Sequence, residues 1–176
     1  MEFAVTAIGR DRPGIVAAIS GALFELGGNI EDSQMSILRG HFAVMLIVRL
    51  SGEADPGRLE ARLEEVAQGL DLEAVTVSAL EDLEGAVARP SHVLSVYGAD
   101  RPGIVHGVTS ALAQLGVNIT NLETRLSGGP DSPLYVMLLE ISLGDTPAED
   151  VEAALGEVAA RSEVEVSLRP LETDAL

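Results

Sequence analysis

The sequence predicts an α+β protein of two tandem β-α-β-β-α-β units, each an antiparallel sheet with its helices on one face. Three observations carry this. First, Gly9-Arg10-Asp11-Arg12-Pro13-Gly14-Ile15-Val16 returns as Gly98-Ala99-Asp100-Arg101-Pro102-Gly103-Ile104-Val105, an offset of 89 residues (9 to 98). Second, from Gly9 to Ile30, 13 of 22 positions equal their partners at that offset, among them most of Leu26-Gly27-Gly28-Asn29-Ile30 against Leu115-Gly116-Val117-Asn118-Ile119. Third, each half alternates short β-branched runs with apolar stripes of helical period.

The first strand is Glu2–Ile8, short and bounded by Gly9. Asp11 then sits at or beside a helix N-cap, with Pro13 in the first turn, where its missing N–H costs nothing. Ile15, Val16, Ile19, Leu23 and Leu26 form the buried stripe of that helix, and Gly27-Gly28 ends it with a left-handed cap. A strand from Asn29 to about Arg39 places Ser33, Met35 and Ile37 on one face. It turns at Arg39-Gly40-His41 into Phe42–Val48, a hairpin. Asp55-Pro56 starts a second helix with Leu59, Leu63, Val66 and Leu70 on its inner side. Leu72–Leu80 closes the unit.

The domain boundaries read from this pattern are 1–81 and 92–170, with a polar linker over 82–91 and a short tail over 171–176. The second unit repeats the order: strand His92–Tyr97, helix Arg101–Leu115, strands Asn118–Ser127 and Leu134–Leu143, helix Pro147–Arg161, strand Glu163–Arg169. Its hairpin carries three extra residues within Gly128-Gly129-Pro130-Asp131-Ser132-Pro133. The third strands, Phe42–Val48 and Leu134–Leu139, are apolar on both faces, whereas a sheet covered on one face alternates. The other repeat, another chain or a host protein must cover that face. A second copy packing sheet on sheet, a homodimer, is the expectation.

Composition removes several chemistries. All 11 basic residues are arginine, and the chain has no cysteine and no tryptophan, so Schiff-base, thiol, disulfide and cysteine–metal chemistry are absent. The net charge of −17 repels phosphate backbones, and no basic stripe offsets it; direct nucleic-acid binding is not expected. Met1 leads straight into a strand, and no run of about 18 apolar residues exists, so a soluble cytoplasmic protein without membrane contact is expected. His41, His92 and His106 share no ligand spacing, and no metal or cofactor is expected. No nucleophile–base set, Walker loop or G-x-G-x-x-G occurs, which argues against an enzyme.

The D-R-P-G-I-V turn, the L-G-x-N-I that follows it and the element order resemble the ACT domain family over both repeats. That family has a ferredoxin-like fold and regulates by binding small amino acids. A stand-alone pair of units is similar, more narrowly, to the glycine cleavage system transcriptional repressors, and Ser132-Pro133-Leu134-Tyr135 resembles the T-P-L-F of that group. Similar modules precede the catalytic domains of formyltetrahydrofolate deformylases and phosphoserine phosphatases; with 176 residues taken up by the two repeats, no such catalytic domain is expected.

The resemblance implies ACT units paired side by side, with an amino acid held between the first loop and helix start of one unit and its neighbour. By motif, the ligand-binding candidates are Asp11, Arg12, Gly14, Ile15 and Asn29, and in the second unit Asp100, Arg101, Gly103, Ile104 and Asn118. A helix N-terminus suits the carboxylate, glycine admits close approach, Asn pairs with either pole, and the aspartate meets the ammonium. Structural roles remain open for the same residues. Asp11 and Asp100 can be caps, Gly14 and Gly103 packing positions, Asn29 and Asn118 turn formers, and Arg12 and Arg101 solvated or ion-paired. His106, on the first turn of its helix, can contribute to ligand choice.

The resemblance implies a small-amino-acid effector, glycine or similar, and a protein partner, a transcription factor or a metabolic enzyme. Alternatives are a regulatory subunit acting in trans on an amino-acid enzyme, or a ligand-free assembly module.

Overall fold

The computed structural model describes residues 1–51, 55–80, 88–129 and 132–171. The chain divides into two compact units, Met1–Glu84 and Gly85–Leu176. The proposed linker falls mostly, and the tail after Leu171 wholly, outside the described residues.

Unit 1 runs β1 (Glu2–Arg10), α1 (Ile15–Glu25), β2 (Gly28–Leu38), β3 (His41–Leu50), α2 (Pro56–Gly69) and β4 (Leu72–Ala79). Unit 2 runs β5 (His92–Ala99), α3 (Ile104–Gln114), β6 (Asn118–Gly129), β7 (Ser132–Ser142), α4 (Ala148–Ser162) and β8 (Val164–Pro170). Each forms one four-stranded sheet, ordered β2-β3-β1-β4 and β6-β7-β5-β8, with every pairing antiparallel. The predicted element order is therefore the observed one.

The core of unit 1 lies between the helices and alternate strand residues: Phe3, Val5, Phe42, Leu46 and Val48 meet Ile15, Ile19, Leu23, Leu59 and Leu63, all buried. Unit 2 repeats this with Leu94, Val96, Met137 and Leu139 against Ile104, Val108, Leu112, Val151 and Leu155. Val16, expected on the buried stripe, is half exposed; Ala22 takes its place inside. The two-residue step Arg39-Gly40 has positive φ at both positions, 52° and 82°, which suits the twist of a tight hairpin. Arg10 pairs with His41, and its repeat partner Ala99 with Leu134. The same strand position has thus moved 93 residues instead of 89, and the second hairpin is longer by four residues, not three. Part of that extension is strand, with Gly129 opposite Ser132; Pro130 and Asp131 lie outside the described residues.

Ser33, Met35 and Ile37 face the helix side, opposite Leu46, Val44 and Phe42. As part of an edge strand beyond the helices they nonetheless stay exposed. On the side of each sheet away from its helices, Ile8 and Met45 of unit 1 and Tyr97, Leu134 and Leu138 of unit 2 are exposed within their units. Both third strands thus present apolar side chains on both faces.

Candidate functional site

The repeated motif forms the corner between the first strand and first helix of each unit, and its two glycines do different things. A Cβ on Gly9 would stand 2.8 Å from Leu72 Cδ2 and 3.1 Å from its Cα. On Gly98 it would stand 2.7 Å from Val164 Cγ1. These positions are bare because the last strand crosses over them. Gly14 and Gly103 meet nothing within 4 Å, but sit at φ 98° and 95°, where an L side chain is strained. They do not pack helix on strand; they turn the chain left-handed into the helix.

That turn also removes the expected cap. Gly14 and Gly103 are themselves the N-cap residues, and neither helix has a side-chain cap hydrogen bond. Helix α1 begins at Ile15 and α3 at Ile104, so Asp11, Pro13 and Asp100 precede the first turn instead of shaping it. The first intrahelical bonds are Ala18 N to Gly14 O at 2.9 Å and Gly107 N to Gly103 O at 2.8 Å. The preceding N–H groups of each helix point out unpartnered by any cap, beside an exposed glycine and with no acidic residue in the first turn. Helix starts of this kind generally favour an anion.

The two corners differ in their charged rims. Arg101 pairs with Glu163, which follows α4 at φ 51°. Asp71 holds the equivalent left-handed position in unit 1 at φ 52°, and Arg12 has no ion pair there among the described residues. Asp11 is fixed through its backbone, its N–H donating to Gly40 O at 2.9 Å. Ile15 and Ile104 are buried, so only their backbone can meet a ligand. His106 is exposed on the first turn of α3, with Nδ1 3.3 Å from Ser110 Oγ.

The asparagines are elsewhere. Asn29 pairs with Arg49, and Arg49 with Glu2, at the opposite end of the sheet from Gly9 and Arg10. Seven strand residues separate the two ends, roughly 23 Å. Asn118, opposite Ser142, occupies the same place in unit 2. Within one unit, then, the structure brings Asp11, Arg12, Gly14 and Ile15 together but not Asn29. Around Asn29 the side chains are charged: Arg49 binds Glu2 at 2.8 Å and Glu31 at 2.9 Å. Its guanidinium is held above the ordinary range by the hydrogen bond to Glu2, then by the Glu31 charge.

Sequence reasoning also passed over Tyr135 as a site residue. It pairs with Gly98 and lies at the second corner, where Phe42 of unit 1 is its counterpart opposite Gly9. Burial raises its phenol, a hydrogen bond with Thr124 opposes this, and the Asp100 charge adds to the rise. The signal was present in Ser132-Pro133-Leu134-Tyr135. Among the described residues no cluster of ligating side chains could hold a metal, and no helix is long and apolar enough to cross a membrane.

ACT domains match residues 2–77 and 92–160. The chain belongs to the ACT domain family. A UPF0237 protein of Methanopyrus kandleri is 45% identical over 73 residues, 40% of this chain and 80% of its own length. The glycine cleavage system transcriptional repressor of Escherichia coli K12 is 26% identical over 159 residues, covering 85% of this chain and 80% of that one. A solved structure of an unknown protein from Galdieria sulphuraria superimposes with a TM-score of 0.80 at 30% identity, over 97% of this chain and 98% of that one. Both of the last two span the tandem pair. The chain is thus a tandem ACT protein with homology to a transcriptional repressor.

Proposed function

We propose that this tandem ACT protein is a non-catalytic regulator that senses a small amino acid, glycine or similar, and acts through a protein partner in transcriptional control of glycine cleavage. The observation that carries the reading is the similarity to the glycine cleavage repressor across both units. The uncapped helix starts at Gly14 and Gly103 support it, since each leaves backbone N–H groups free for a carboxylate. The net charge of −17 favours action through a protein over contact with DNA.

The place of Asn29 and Asn118 at the far end of their own sheets supports a site at an ACT–ACT interface. The loop and helix start of one unit bind the carboxylate, and the asparagine comes from another unit. The ligand then favours the arrangement in which these meet. It changes partner affinity only as far as it binds that arrangement better. A homodimer joined through the exposed apolar sheet faces completes the proposal, and light scattering at micromolar concentration reads a dimer mass.

The test is a thermal-shift screen against the twenty amino acids, repeated on Asn29→Ala and Asn118→Ala. A ligand at a hundred times its Kd adds about 2.7 kcal/mol of stability. Glycine or a close relative should raise the midpoint, and one asparagine variant should lose the rise. No shift with any amino acid would overturn sensing.

A further inference from the structure

The last strand of unit 1 is an open sheet edge roofed by carboxylates. In the order β2-β3-β1-β4, β4 has a partner on one side only. Leu80 N donates to Glu2 O at 2.9 Å, which makes Glu2–Leu80 a hydrogen-bonded pair. Antiparallel pairs alternate, so Ala4–Ser78 and Thr6–Thr76 are hydrogen-bonded pairs too. Val5–Val77 and Ala7–Val75 are then the other kind, and the N–H and C=O groups of Val75 and Val77 point away from β1 to the free edge. Their side chains line a groove of about 300 Å³ below α2, closed on the helix side by Glu60 and Glu64.

These carboxylates lie four residues apart on one helix face, an unfavourable like-charge spacing. Neither has an ion-pair partner among the described residues. The arginines of the same helix, Arg58 and Arg62, turn to the other side, beside Glu25 and Leu26.

We propose that β4 takes up an extended, arginine- or lysine-bearing segment of a different protein as a fifth strand. Its main chain bonds Val75 and Val77, its aliphatic stems cover their side chains, and its charged heads meet Glu60 and Glu64. A second copy of this chain fits poorly. Joining two β4 edges brings both Glu60–Glu64 pairs together, and a chain of net charge −17 without lysine has little basic surface to offer.

Unit 2 supplies the contrast. Its corresponding groove of about 370 Å³ has Gly156 and Ala159 beside the single carboxylate Glu152. The parity set by Leu171 N to Ser91 O places Pro170 at an outward-facing position of β8, where it has no N–H to give. Of the two last-strand edges, that of β4 is the one both unblunted and doubly acidic among the described residues.

This inference rests on the reading that the chain acts through a protein partner. It is tested by fluorescence anisotropy of the full chain with a labelled Thr-Arg-Thr-Arg-Thr-Arg-Thr peptide. Saturable binding is expected. Glu60→Gln with Glu64→Gln should weaken it by roughly five-fold and flatten its salt dependence. Methylating alternate peptide nitrogens should abolish it, and that reagent leaves the protein fold untouched. Absence of binding, or binding indifferent to the Gln substitutions and to N-methylation, overturns the inference. The thermal response to glycine is read on the same preparation without peptide. If that response persists while the peptide fails to bind, the groove assignment falls and the sensing reading stands.

Discussion

Replacing Gly98 by Ala puts one methyl group where the last strand of unit 2 passes. The new Cβ lies 2.7 Å from Val164 Cγ1 and 3.2 Å from both its Cα and Cβ. A γ-methyl can rotate, but the α-carbon is fixed in the backbone, so β8 must shift away from β5 or Val164 must leave its rotamer. Overpacking of this kind costs about 1–3 kcal/mol. With a urea slope of about 1–2 kcal/mol/M for a unit this size, a 2 kcal/mol loss lowers the midpoint by roughly 1–2 M. The aromatic residues separate the units without labels. Both tyrosines, Tyr97 and Tyr135, belong to unit 2, all three phenylalanines, Phe3, Phe24 and Phe42, to unit 1, and there is no tryptophan. Tyrosine fluorescence in urea therefore follows unit 2 alone, and near-ultraviolet circular dichroism adds the phenylalanine signal of unit 1. The tyrosine transition should move and the phenylalanine transition stay. A Gly98→Ala midpoint within a few tenths of a molar of the parent would refute the close-approach argument for the first glycine of the motif.

Other outcomes follow from the same structure. Asp55 Oδ1 accepts from Gly57 N at 3.0 Å as the N-cap of α2, so Asp55→Ala should cost about 1 kcal/mol, read in the phenylalanine signal. Tyr135 has its phenol raised chiefly by burial, so the folded state keeps the proton longer than the unfolded chain. Its contribution is whole below the ordinary phenol value near 10 and is lost as pH rises through the folded value; absorbance titration should show a late-ionising phenol that disappears in Tyr135→Phe. Leu138→Glu, placed on the sheet side away from the helices, should convert the proposed dimer to a monomer in light scattering while leaving the fold intact. Gly14→Ala meets open space but must hold φ 98°, so it should cost about 1–2 kcal/mol without any packing change.

Topology was legible because a duplicated motif and two periods fix it: Leu59, Leu63 and Val66 had to face a sheet, and Phe42 through Val48 had to be a strand. The corner was less legible. Asp followed two residues later by Pro reads alike whether the helix starts there or after a left-handed glycine three residues on, and only backbone geometry shows that Gly14 is the N-cap. Counting residues between motifs could not separate three from four inserted positions, because the strand register through Tyr135 decides it. Asn29 was grouped with Asp11 by resemblance, yet an eleven-residue helix carries the chain to the far end of the sheet before Asn29 is reached. The crowding at Gly9 and Gly98 comes from Leu72 and Val164, more than sixty residues away, and no local pattern contains it. The helical period of α2 identifies its inner side but not that Glu60 and Glu64 border a groove with Val75 and Val77, which only the placement of β4 shows.

In each unit one of the two inner strands, β1 or β5, is the first made, and one of its neighbours, β4 or β8, is the last. On a ribosome, β1 can meet the β2–β3 hairpin early, but Val5 and Ala7 wait for residues 75 and 77 before their second flank is covered. The sheet therefore closes late, by a long-range step that follows both helices, and a chain halted before Leu72 leaves β1 as an open edge to any stray segment. Because β4 precedes β5 in the chain, unit 1 can close before unit 2 has exposed its strands, so the tandem order limits how long two half-built sheets of the same strand order coexist and exchange strands.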